Sequence, residues 1–161
     1  MTGTLDHHHA GPATLGVLQD VHTLLADVWE SAPYVGASER ARFTLIVAEL
    51  VANIIEHGCV DVAQPPNLEL TVGVGSGVIR GTLIDDGAKP PRDAPGGRRL
   101  SQPAAHDGAL PALSQVEVAA LRESGRGLLL VRSVADDLAL TTTAAQNRWR
   151  FAVRLRQSQP A

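Results

Sequence analysis

The chain has 161 residues, 14 basic and 17 acidic side chains, a formal net charge of −3 and only 3% aromatic residues. That balance excludes a dedicated nucleic-acid binder, which carries a basic footprint and commonly an aromatic stacking surface. The single cysteine, Cys59, excludes an internal disulfide framework and a multi-cysteine zinc site, and no apolar run approaches the roughly 18 residues of a membrane span.

The expected product is therefore one soluble, cytoplasmic domain, long enough to bury its own core. Residues 1–13 are small and polar and are expected to form a disordered tail, with His7, His8 and His9 as a tag-like run rather than a metal site. The domain proper is expected over 14–156, and 157–161 as a second tail.

From Leu15 onward, Leu18, Val21, Leu24, Leu25, Val28 and Trp29 recur at helical spacing, which predicts a helix over about 14–30, ended near Pro33. Ser38 is the expected N-cap of a second helix over about 39–57, with Phe43, Ile46, Val47, Leu50 and Ile54 on its apolar stripe and Gly58 closing it. Leu68, Leu70, Val72 and Val74 then alternate with polar or small residues, and Gly75-Ser76-Gly77 turns the chain into a partner strand ending at Asp85.

After Asp85 the composition changes. Residues 87–111 hold five of the ten prolines and few apolar residues, so the segment over about 88–124 is expected to be a mobile lid. Ser114-Gln115-Val116-Glu117 fits a capping box and predicts a short helix over about 115–123. Gly125-Arg126-Gly127 then opens a further long helix ending near Asp136. Two closing strands follow, one from Leu138 and one over Asn147 to Arg156. In the latter, Trp149, Phe151, Val153 and Leu155 alternate with Arg148, Arg150, Arg154 and Arg156. Helices and hairpins segregated in this way predict an α+β, two-layer sandwich with helices on one face of a mostly antiparallel sheet.

Three blocks carry the candidate chemistry. Glu49, Asn53 and His57 stand at i, i+4 and i+8, on one face of the second helix. Asp85-Asp86-Gly87 puts a carboxylate at the end of an apolar strand, followed by a glycine that lets a ligand approach the backbone. Gly125-Arg126-Gly127 leaves backbone N–H groups open at a helix start, a place that favours phosphate. Neither a P-loop nor a dinucleotide fingerprint is present: no Gly-Lys-Ser/Thr motif occurs, and position 130 is Leu where a third glycine belongs.

Glu-x-x-x-Asn-x-x-x-His on a helix, a strand ending Asp-x-Gly, a long segment and Gly-x-Gly opening a helix together resemble the GHKL ATPase domain. Within it, the chain resembles the bacterial anti-sigma-factor serine/threonine kinases of the partner-switching type, over about residues 14–156. The resemblance implies Mg-ATP as cofactor, with Asn53 as the Mg²⁺ ligand, Asp85 as acceptor for the adenine amino group and Gly87 beside the base. It implies Gly125, Arg126 and Gly127 at the phosphates, Glu49 as general base and His57 in a supporting role. The implied partners are a sigma factor and an anti-sigma-factor antagonist that receives the phosphoryl group, with a homodimer as the expected assembly. Lys89 stands where many relatives have a second glycine. A non-catalytic ATP-binding switch is the alternative. The catalytic half of a histidine kinase fits less well, because too few residues precede the second helix for a dimerising hairpin.

Overall fold

The computed structural model describes residues 5–57, 64–75, 77–87 and 127–156. Five strands, β1 (Leu5–Pro12), β2 (Asn67–Gly75), β3 (Val78–Asp85), β4 (Asp137–Thr142) and β5 (Asn147–Arg154), form one sheet in the order β1-β2-β3-β5-β4, every pair antiparallel. Helices α1 (Gly16–Ser31), α2 (Ala37–His57) and α3 (Gly127–Val134) lie on one face, which is the two-layer α+β arrangement expected from the sequence. The predicted helix over about 115–123 and the whole of the predicted lid over about 88–124 fall outside the described residues.

The apolar stripes make the core. Val17, Val21, Leu25 and Val28 of α1 and Phe43, Ile46, Val47, Leu50, Val51 and Ile54 of α2 are buried against Leu70, Val72, Ile79, Leu83, Trp149 and Phe151 of the sheet. At roughly 1.5–3 kcal/mol for each large apolar side chain removed from water, this layer supplies most of the folding drive. Phe151 has a reason to face inward at its register position. Its partner across β3 is Gly81, and the Phe151 ring lies where a Gly81 side chain would be. Phe43 of α2 then stacks on Phe151 at 5.3 Å between centroids, fixing α2 over the middle of β5.

Helix α3, described from Gly127, ends at Val134, close to the end expected near Asp136, and it is fastened to α2 near both ends. At its C-terminal end, Arg42 of α2 donates through Nε and Nη2 to the Val134 carbonyl at 3.0 and 2.7 Å. The same Nη2 sits 3.0 Å from Asp136 Oδ2, which also accepts the Arg154 backbone N–H at 2.7 Å. A cation at the carbonyl end of a helix opposes the helix dipole as well as satisfying an orphan acceptor.

Two expectations are corrected. Residues 5–12 are not a disordered tail: they form the edge strand β1, paired along its whole length with β2. The ladder needs only backbone donors and acceptors, so a polar sequence can occupy it. The histidines are fitted rather than tag-like, with His7 Nε2 3.0 Å from Ser31 Oγ of α1 and His8 Nε2 3.0 Å from Glu69 Oε1 of β2. The start of α2 also differs. The helix begins at Ala37, so Ser38 lies inside its first turn, and the buried Glu39 folds its carboxylate back onto Gly36. An acid there serves the helix start in place of a serine cap. The β2–β3 turn is as expected, with Gly77 at φ +79°, a left-handed value that favours glycine.

Candidate functional site

The Glu-x-x-x-Asn-x-x-x-His face of α2 runs from buried to exposed. Glu49 is 3% exposed, Asn53 is half-buried and His57, the last residue of the helix, is exposed. The Glu49 carboxylate lies against the first residue of α3: a Cβ built at Gly127 would come within 2.6 Å of Glu49 Oε2. Glycine at 127 is therefore a steric requirement of this acid's position, and the contact sets the carboxylate at the positive end of α3. One turn further along α2, Asn53 Nδ2 is shielded from solvent and has no hydrogen-bond partner among the described residues. A buried amide left in this state is a group that a ligand, an ion or a water satisfies. His57 Nε2 stands 3.9 Å from the Glu56 carboxylate, so it is turned to a neighbour on its own helix.

The second group is at the end of β3. Asp85 occupies an inward register position and is 4% exposed. Its Oδ1 accepts from the Gly87 N–H and from Asn147 Nδ2, both at 3.0 Å. Asn147 is the residue directly across the β3–β5 ladder and is 2% exposed. Burial pushes the Asp85 carboxyl above the usual aspartate range, the bonds from Asn147 and Gly87 pull it back, and the charge of Asp86 adds to the rise. Asp86 turns elsewhere, accepting from the Asn67 backbone at 2.6 Å and side chain at 3.2 Å, which closes the start of β2 onto the end of β3.

Glu49, Asn53, Asp85, Gly87 and Gly127 thus all lie on the helix-covered side of the sheet or in the helices themselves. Gly125, Arg126 and Lys89 lie outside the described residues. Sequence reasoning missed Asn147. A signal existed: it is the polar member of the inward-facing set Asn147, Trp149, Phe151 and Val153, at a position where an apolar residue is expected. Among the described residues no three His, Cys, Asp or Glu side chains are grouped to hold a metal.

The family comparison covers this whole arrangement. Residues 11–153 match the family described as histidine kinase-like ATPase domain. The chain belongs to that family. ATP binding is the property the family carries, and the GHKL-type fold expected from Glu49, Asn53, Asp85 and the Gly-x-Gly block is the fold observed. No curated protein is significantly similar in sequence. Among solved structures, this histidine kinase-like ATPase domain is similar to the RsbU and RsbW domains of Rv1364c from Mycobacterium tuberculosis, at 18% identity and a TM-score of 0.59. The match covers 98% of this chain and 34% of the other, so the chain spans about a third of that relative's length. No described helix is long and apolar enough to cross a membrane.

Proposed function

We propose that this domain is a Mg-ATP-dependent protein serine/threonine kinase of a partner-switching system, which binds a sigma factor and phosphorylates an anti-sigma-factor antagonist in the cytoplasm. The observation that carries the reading is the buried Glu49 carboxylate held against the start of α3, with the unpartnered Asn53 amide one turn away. The likeness to a chain containing an RsbW domain supports the partner-switching part.

In this reading Mg-ATP supplies the phosphoryl group. Asn53 fits the metal, because an amide turned over presents its oxygen where its unpartnered nitrogen now stands. Asp85, braced by Asn147 and Gly87 on Oδ1, accepts the adenine amino group, and Gly87 admits the base close to the backbone. Gly125 and Arg126, which precede Gly127 in the sequence, would together with it give N–H groups and charge to the phosphates. Glu49 takes the proton of the acceptor serine or threonine as that hydroxyl oxygen bonds to the γ-phosphorus and the bond to ADP breaks. His57, exposed at the helix end, supports this face of α2 without touching the transfer.

Calorimetric titration with Mg-ATP tests the site. A charge-assisted hydrogen bond is worth about 1.5–3 kcal/mol, so Asp85→Asn should weaken binding roughly ten- to hundred-fold. Radiolabel transfer to the antagonist should vanish in Glu49→Ala while Mg-ATP still binds. A folded wild type that does not bind Mg-ATP refutes the site; transfer that persists in Glu49→Ala refutes the base.

A further inference from the structure

The helices cover one face of the sheet, and among the described residues nothing covers the other. On this open face β5 presents Arg148, Arg150 and Arg154, and β3 presents Arg80; all four are exposed. The gap in the β5 series at Ala152 is filled from the neighbouring strand, because Ala152 is the register partner of Arg80. Read along the strands, the four guanidinium groups therefore stand at successive outward positions. With each position about 7 Å from the next, the row is roughly 20 Å long.

None of these arginines makes a salt bridge or a side-chain hydrogen bond with a described residue. This contrasts with Arg40, which bonds three backbone carbonyls, and with Arg42, which is bound to Val134 and Asp136. Between Arg80 and Arg150 the small side chains of Ala139 and Ala152 leave a depression of about 280 Å³, with Asp137 on its rim. Four unpaired arginines in a line on a chain of net charge −3 are a local reversal of sign. Such a surface attracts a negative partner over and above any contact it makes.

We infer that the open sheet face is a docking surface for an extended acidic segment of a partner protein. An extended chain presents every second side chain to one side at the same spacing of about 7 Å, so acids at alternate positions would meet the arginine row in register. The bidentate fork of a guanidinium suits carboxylates in this geometry. Single-stranded nucleic acid has similar spacing but suits the face less well. The aromatic residues of β5, Trp149 and Phe151, are buried on the other side, so no base-stacking platform accompanies the charge. Asp137 and Glu69 also lie at outward positions on this face and repel any anionic partner, peptide or nucleic acid alike, so they do not separate the two.

The test is fluorescence anisotropy at low salt with three labelled probes of equal net charge. One is a peptide with glutamate at every second position, one a peptide with the same composition and its glutamates in a block, and one an oligothymidylate. The full chain should bind the alternating peptide at least several-fold tighter than either other probe, with affinity falling as salt rises. In Arg80→Ser/Arg150→Ser, whose two sites are exposed and remote from the nucleotide residues, binding should fall about tenfold, with the melting temperature and Mg-ATP affinity unchanged. Equal or tighter binding of the oligothymidylate would overturn the proposal in favour of a nucleic-acid surface. Equal binding of the two peptides, no binding of the alternating peptide, or no loss in the double variant would also overturn it.

Discussion

Replacing Asn147 by Ala removes the cross-ladder donor to Asp85 and leaves its carboxylate with only the Gly87 N–H on Oδ1. Both residues are buried, so water does not readily replace the lost bond, and the ionised carboxylate loses about 1.5–3 kcal/mol of stabilisation. For a chain of this length each kcal/mol corresponds to about 2–4 °C, so the melting temperature at pH 7 should fall by about 3–12 °C. The pH dependence separates this cause from a simple packing loss. Asp85 titrates above its ordinary 3.8 in the folded state, so its contribution to stability is fully present below that value and is lost as pH rises through the folded pKa. Without Asn147 the folded value moves higher still, and the loss extends further upward in pH. The wild type and Asn147→Ala should therefore differ most near neutrality and converge as pH falls toward 4. In an Asp85→Asn background the pH-dependent part of the Asn147→Ala effect should disappear. Thermal melts of the four proteins from pH 4 to 8 measure this. A melting difference that stays constant with pH, or that persists unchanged beside Asp85→Asn, would refute the assignment of Asn147 as the brace of Asp85.

Gly127→Ala places a methyl group against Glu49 Oε2, the far end of a flexible side chain, so the acid moves and the helix stays; better helix propensity offsets the strain. Melting should change by less than about 1 kcal/mol equivalent while, on the proposed function, single-turnover phosphoryl transfer drops about a hundredfold, the cost of misplacing the proposed base. Arg42→Ala uncaps α3 and takes the guanidinium from Asp136, which keeps the Arg154 N–H, and chemical denaturation should register a loss of about 2–3 kcal/mol, of which Arg42→Lys recovers only a minor part because an ammonium lacks the fork that spans both acceptors. Gly81→Ala drives a methyl into the Phe151 ring and should cost about 1–3 kcal/mol in the same assay, relieved by Phe151→Leu in the double variant.

Periodicity made the helices and the β2–β3 hairpin legible, because their apolar positions are the ones that the core buries. β1 was not legible for the converse reason. Asp6-His7-His8-His9-Ala10-Gly11 buries no large apolar side chain and is held by its ladder to β2, so neither alternation nor β-branched residues announce it. In the site, Glu49, Asn53 and Asp85 could be picked out by their spacing and by their place beside apolar runs. The contact of Glu49 with Gly127 could not, since it joins residues far apart in the chain through the packing of α3 on α2. Asn147 lay between these cases. Its inward position was readable from the Trp149, Phe151, Val153 alternation, but the conspicuous arginines on the opposite side dominate that stretch of sequence.

The carboxylate of Asp136 ties together parts that belong to different layers. One oxygen, Oδ2, is held by the Arg42 side chain of α2 and by the Arg154 backbone of β5, two residues after the end of α3. A shift of α3 along its axis thus meets, at this carboxylate, a joint to both α2 and β5, in addition to the packing of Leu130, Val131 and Val134 in the core. That joint is anchored on a residue whose own side chain belongs to the open arginine face, so load carried along α3 and load applied to the far side of the sheet converge on the same few atoms.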